Sequence, residues 1–279
     1  MHSQTEYLTD GLNWLMRTSG GFLVLAMTVS LSTGSLAEAA EFRDDDVDWD
    51  YVEPSTDFDF RVERFEANPL IHREMHGMVE GNNNINGPSL IKVPDWVEDP
   101  LEEILGMFYF RVFERDGWHY ALAKYINDGG VIYRSRDPLS GFEEGPRILP
   151  RVRHMALWEN EDMLYVFFSR GEDKPEHIMV SRVENLDDDW EDWRFTEPQT
   201  VLKPGKDYEG VDEPIERSRF GATYDFVHQL RDPAIYEEDG RLYMLYSTAG
   251  EWAIAGAELH VELGSRCERL YQNKDEPHE

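Results

Sequence analysis

Apolar and polar positions along the chain repeat three times in one register. The segments are FYFRVFERDGWHYALA (108–123), RHMALWENEDMLYVFFS (153–169) and RDPAIYEEDGRLYMLYS (231–247). In each, a run rich in aromatic and β-branched residues enters an acidic turn and a second such run leaves it, a composition that suits paired strands. Eleven residues separate Tyr109 from Tyr120, His154 from Tyr165, and Asp232 from Tyr243. A third apolar run follows each unit: VIYRSR (131–136), HIMVSR (177–182) and WAIAGAEL (252–259). A repeated meander of short antiparallel strands predicts an all-β fold, a β-propeller.

Outside the matched units the pattern weakens. Residues 41–60 (EFRDDDVDWDYVEPSTDFDF) are acidic and contain no repeat. Their alternating aspartates lack the glycine and closing glutamate of a calcium loop, so a solvated linker is expected there. Further on, Gly87-Pro88-Ser89-Leu90-Ile91 matches Asp232-Pro233-Ala234-Ile235-Tyr236 and predicts the first strand of an earlier unit. Only eleven residues lie between Trp96 and Phe108, too few for the rest of that unit. The stretch DDDWEDWRF (187–195) reads as a turn entering an outer strand, and 197–221 as a long loop of the functional kind.

Charge and composition narrow the partners. Asp and Glu number 57 against 27 Lys and Arg, a formal charge of −30 that repels a phosphate backbone and an anionic membrane surface. The single cysteine, Cys267, excludes an intramolecular disulfide. Arg17, the apolar run GGFLVLAMTVSL (20–31) and the small residues of SLAEAA (35–40) follow the order of a secretory signal peptide, with cleavage after Ala37, Ala39 or Ala40. Met16 makes a better start for such a leader than Met1. The expected plan is a leader at 1–40, an acidic linker at 41–64, the β-propeller at 65–263 and a polar tail at 264–279. A secreted or periplasmic location and no stable membrane span after cleavage follow.

The repeat residues carry a resemblance. RDPAIYEEDGRLYMLYS with IAGAEL resembles blades of the five-bladed β-propeller glycosidases, the arabinanase, levansucrase and invertase superfamily. NINGPSLIKVPDWVEDPL, GVIYRSRDPLSGFEEGP and LRDPAI resemble bacterial members of that group, over about residues 65–260. The resemblance implies that the first strand of each blade lines a central axis, where carboxylates meet around one sugar. One carboxylic acid protonates the leaving oxygen and one carboxylate activates water or attacks the anomeric carbon. This chain departs from the pattern: its axial positions are Gly87, Tyr109, His154 and Asp232, and about one and a half blades are missing after Trp96.

These positions supply the candidate site. Asp232, with Arg231 keeping it ionised, is the leading catalytic carboxylate, although an Asp-Pro strand start can also simply cap a turn. Glu213, on the long loop with Glu209 and Asp212, is the candidate second acid; a solvated loop face is the other reading. Arg153 and His154 could donate to a sugar hydroxyl or a substrate carboxylate. Asn86 is a candidate hydroxyl ligand and Trp96, beside Asp95, a stacking platform or a buried aromatic. His228 and Glu251 flank the last unit. His72 and His76 lack a third ligand, so no metal site and no cofactor are expected. The expected function is glycoside hydrolysis on oligo- or polysaccharides. The alternative is a non-catalytic carbohydrate-binding or degenerate propeller lacking the carboxylate set. A second carboxyl group within about 5–10 Å of Asp232 separates the two.

Overall fold

The three repeated segments fold into three antiparallel sheets of identical register. The computed structural model describes residues 14–17, 22–26, 49–75, 85–92, 105–160 and 162–263. The first sheet is β6 (Phe108–Arg115), β7 (Trp118–Tyr125), β8 (Gly129–Ser135) and β9 (Glu143–Ile148). The second is β10 (Val152–Asn160), β11 (Met163–Arg170), β12 (Ile178–Val183) and β13 (Gln199–Leu202). The third joins β14 (Leu230–Glu238), β15 (Arg241–Thr248) and β16 (Ala253–Leu263) to β3 (Phe58–Arg64), with β4 (Ile71–His72) also pairing β16. Tyr120, Tyr165 and Tyr243 sit opposite Phe113, Trp158 and Tyr236, each four residues beyond the aligned axial position. The eleven-residue spacing is therefore a cross-strand aromatic pair recurring at one place in each hairpin.

The acidic turns have a plain backbone cause. Asp116-Gly117 and Asp239-Gly240 all have positive φ, between 52° and 73°. Two-residue hairpins twist correctly only with that geometry, and Asp-Gly adopts it at low cost.

The middle strands, such as β8, β11 and β12, bury both faces, which is why they read as near-continuous apolar runs. Tyr120, Leu122, Ile132, Met155, Val166, Phe168, Trp190 and Trp193 form the core between the first and second sheets. Phe58, Phe60, Tyr165, Phe167, Met244 and Tyr246 form the core between the second and third. The first strands β6, β10 and β14 pack side by side, and β5 (Pro88–Lys92) lies against β14. These four strands line a shared cavity of about 280 Å³ at the centre. No helix among the described residues is long and apolar enough to cross a membrane.

One sequence expectation meets a different arrangement, and two others gain structural detail. Residues 58–64, expected within the acidic linker, form β3, the outer strand of the last sheet. Phe58 and Phe60 alternate with Asp59 and Arg61, and their rings meet Tyr165 and Phe167 edge to face. The apolar run expected as a leader contributes β2 (Phe22–Ala26), which pairs with both β1 (Trp14–Arg17) and β5. The stretch 187–195, expected as a turn entering an outer strand, makes a turn that leads on to the outer strand β13. Residues 190–192 form a single 3-10 turn capped by Asp189, and Trp190 and Trp193 bury their rings in the core.

The truncation Phe60→Ala tests whether β3 is part of the core. Removing a buried ring of this kind costs about 3–5 kcal/mol. Urea unfolding should show that loss, whereas a solvated linker would leave the midpoint unchanged.

Candidate functional site

The inner strands share a defect that creates the site. The ladder shifts between Phe108 and Arg111 in β6, between Val152 and Met155 in β10, and between Arg231 and Ala234 in β14. A bulge leaves residues unpaired and re-aims their side chains. The residues released are Tyr109, Arg153 with His154, and Asp232. Tyr109 (φ 59°) and Asp232 (φ 51°) occupy left-handed backbone at equivalent positions, and Gly87 (φ 58°) does so just before β5. Such a conformation costs a non-glycine residue on the order of 1–3 kcal/mol, and it concentrates at functional sites.

The four aligned positions meet. His154 Nδ1 lies 2.8 Å from Asp232 Oδ1. The Tyr109 and His154 ring centroids are 3.4 Å apart. A side chain added at Gly87 would reach to 3.7 Å of the His154 ring. Ser247 Oγ donates to the other Asp232 oxygen at 3.4 Å. Asp232 and His154 are buried, while Tyr109 remains 39% exposed and forms the open lip.

Behind this layer runs a chain of ion pairs. Arg153 Nε lies 2.8 Å from Glu176 Oε1, and Arg231 Nε lies 3.2 Å from Glu176 Oε2. Ser169 Oγ donates to Glu176 at 2.8 Å. Arg231 Nη1 donates to Glu251 Oε1 at 2.9 Å, and its other terminal nitrogen donates to Gln229. The second Glu251 oxygen accepts from Asn86 Nδ2 at 3.1 Å and from the Thr223 backbone N–H at 3.2 Å. Arg153 also donates to the carbonyls of Arg219 and Gly221.

These surroundings set the protonation of the axial groups. Burial alone would raise the Asp232 carboxyl, but the His154 ring and the charges of Arg153 and Arg231 outweigh it. The group is held well below the ordinary carboxylate range. Burial, reinforced by the negative charges of Asp232 and Glu251, pushes the Tyr109 phenol up to about 12. Tyr109 is thus a neutral donor and ring surface, and Asp232 an ionised acceptor.

The expected residues divide accordingly. Asp232, His154, Arg153, Arg231 and Asn86 come together. Glu213 does not join the axial ion pairs: its loop backbone is held by His228, whose Nδ1–H donates to the Glu213 carbonyl at 3.2 Å. Asp212 is exposed on the same loop. Glu209 is fully buried but serves as a clamp, accepting from Arg64 at 2.7 and 2.9 Å, Tyr246 at 2.8 Å and the Gly205 N–H at 2.7 Å. It ties the long loop to β3 and β15. Trp96, Asp95 and His76 lie outside the described residues. Among the described residues, the further acids that reach the axial cluster are Glu176 and Glu251. Glu251 was only a flanking candidate in the sequence, and Glu176 follows a loop proline with no repeat position to mark it. Lys124 and Arg111 were likewise unmarked.

Comparison with known proteins adds a relative and several distant structural likenesses. No protein-family profile matches the chain. An uncharacterized protein of Acanthamoeba polyphaga mimivirus is 31% identical over 212 residues, covering 69% of this chain. The chain spans 58% of that relative's length. Among solved structures, the α-L-arabinanase of Cellvibrio cellulosa, complexed with arabinohexaose, is 12% identical, with 94% of this chain and 98% of that one covered and a TM-score of 0.41. The endo-arabinanase of Bacillus licheniformis is 11% identical over 51% of this chain and 65% of its own, with a TM-score of 0.32. The catalytic domain of a Coprinopsis cinerea α-L-arabinofuranosidase is 9% identical over 54% and 53%, with a TM-score of 0.35. At these levels the residue geometry has to carry any reading of function.

The depressed Asp232 carboxyl has a stability consequence with a definite sign. A folded pKa below the unfolded value of about 3.9 contributes stability above that pH and loses it as pH falls toward the folded value. The stability difference between wild type and Asp232→Asn should therefore be full at pH 6 and shrink below about pH 4. Equilibrium unfolding across that range checks this, and a pH-independent difference would show that the carboxylate is not held by its cationic neighbours.

Proposed function

We propose that this chain is a carbohydrate-binding propeller of glycosidase type, and that its ligand site is the axial mouth around Tyr109, His154 and Asp232. The observation that supports this reading is an ionised carboxylate fixed on the axis beneath a partly open tyrosine ring. A sugar presents hydroxyl donors to carboxylate acceptors and an apolar ring face to an aromatic. His154, Arg153 and Asn86 add donors around the same point, and the ion-pair chain behind them fixes their positions before any ligand arrives. Such preorganisation lowers the cost of binding.

Glycoside hydrolysis is the second reading, favoured by Glu251. Hydrolysis needs an ionised carboxylate and a second carboxyl group that delivers a proton. Asp232 suits the first role. Glu251 shares Arg231 with Glu176 and is the less enclosed of the two, but it must leave Arg231, Asn86 and Thr223 before it can give a proton to a leaving oxygen. Glu176 is wholly buried between two arginines and unavailable to substrate.

Calorimetry with arabino-, xylo- and fructo-oligosaccharides tests the binding reading. At least one should bind, and Tyr109→Ala, which removes an exposed ring, should weaken it by about tenfold, or ~1.4 kcal/mol. Failure of every sugar to bind the folded protein would sink the reading. Product release that Glu251→Gln abolishes would establish hydrolysis; binding without product leaves a lectin-like role.

The leader-like order of residues 17–40 supports export as a further part of this proposal. N-terminal sequencing of the protein recovered outside the cytoplasm should begin at residue 38, 40 or 41. Recovery of a mature chain that retains β1 and β2 would refute it.

A further inference from the structure

Beside the axial site stands a cation, Lys124, that has no ion-pair partner among the described residues. Lys124 lies on β7, opposite Phe108 and one residue from the Tyr109 bulge in register. Its ammonium sits 5.7 Å from the Phe220 ring centroid, and the Arg153 guanidinium sits 5.4 Å from the same ring. The two cations thus flank one aromatic. Arg153 is committed to Glu176 and to the carbonyls of Arg219 and Gly221. Lys124 makes no ion pair among the described residues. Burial first, then the charge of Arg153, pushes its amine down to about 8; Asp232, Glu176 and Glu251 oppose that shift without overcoming it.

Charge counted at the axis points the same way. Arg111, Lys124, Arg153 and Arg231 face three carboxylates, Asp232, Glu176 and Glu251. Arg111 spends its Nε–H on the Met155 carbonyl at 3.1 Å and makes no ion pair among the described residues. Among the described residues, a chain with a formal charge of −30 therefore sets four cationic side chains against three carboxylates at its centre. Half-burying an ammonium without a counter-ion is costly, and a ligand carboxylate would remove that cost. The surrounding acidic surface does not forbid an anionic ligand, because charges beyond about 8 Å are screened at physiological salt.

We propose that the sugar taken by this site is a uronate, its ring against Tyr109 and its carboxylate at the Lys124 ammonium. The inference rests on the carbohydrate-binding reading and specifies the substrate class. Asp232 stays paired with His154 in this arrangement and receives hydroxyls rather than the ligand's charge.

Trigalacturonate and the neutral trisaccharide made from it by carboxyl reduction share one backbone and differ only in bearing a carboxylate or a hydroxymethyl group on each ring. Titration calorimetry at about 0.15 M salt should find the uronate bound about tenfold more tightly, the worth of one well-placed ionic contact. Lys124→Met should erase that preference and Lys124→Arg should keep most of it, with thermal melting confirming that both variants fold. The preference should also fall as pH rises through 8 and beyond, since the ammonium, facing Arg153, Asp232, Glu176 and Glu251, loses its proton there. Equal affinity for the two trisaccharides would overturn the inference and leave carbohydrate binding standing. A preference that survives in Lys124→Met would overturn it too. If neither trisaccharide binds, nor any neutral oligosaccharide, the binding reading itself fails.

Discussion

Glu176 is the constraint around which the centre of this protein is organised. Its carboxylate has no exposed surface, so it is tolerable only because Arg153 and Arg231 meet its two oxygens and Ser169 adds a donor. Those arginines come from the first strands of different sheets, β10 and β14. Arg231 passes the connection to Glu251, and Glu251 passes it to Asn86 at the entrance to β5. Three sheets are thereby tied at one end of their shared axis by charge, while apolar side chains join them everywhere else. Removing any one of the charged partners Arg153, Arg231 or Glu176 would strand a buried charge, a loss on the order of 3–5 kcal/mol. The position of every axial side chain depends on that chain remaining whole.

The bulges convert this scaffold into a site. Without them the inner strands would alternate regularly, and successive residues would face the two neighbouring sheets. The register shift at the same place in β6, β10 and β14 frees Tyr109, His154 and Asp232 to point at one another. Left-handed backbone at Tyr109 and Asp232 is unfavourable in isolation, and it persists because the surrounding sheets leave no alternative. Backbone strain, buried charge and an open aromatic lip coincide at a single point. Glu209 shows the contrast: it is equally buried and equally well paired, yet its partners Arg64, Tyr246 and Gly205 hold a loop to a sheet and enclose it completely.

The acidic surface and the cationic axis are complementary parts of one charge distribution. Exposed carboxylates keep the chain solvated, and their fields are largely screened beyond about 8 Å at physiological salt. The enclosed arginines and Lys124 act over short distances in a poorly screened environment, where each charge counts for more. Net charge thus says little about the ligand that the centre prefers.

Much of this was legible in the sequence because it recurs. The cross-strand pairs at Tyr120, Tyr165 and Tyr243, the Asp-Gly turns and the axial positions Gly87, Tyr109, His154 and Asp232 follow from local spacing, which the chain repeats and a reader can superpose. Residues used once left no such trace. Glu176 sits in a loop, Glu251 in a turn and Lys124 at the end of a middle strand, and only their convergence in space gives them a role. Glu213 and Glu251 are alike on paper, each a glutamate in a polar loop. Backbone geometry decided which of them faces Arg231. The same holds for Phe58–Arg64, whose alternation is too short to distinguish from an acidic linker until β16 offers an unpaired edge. Local sequence determined the strands and their register; the tertiary structure alone decided which charges met, because a buried ion pair joins residues from distant parts of the chain.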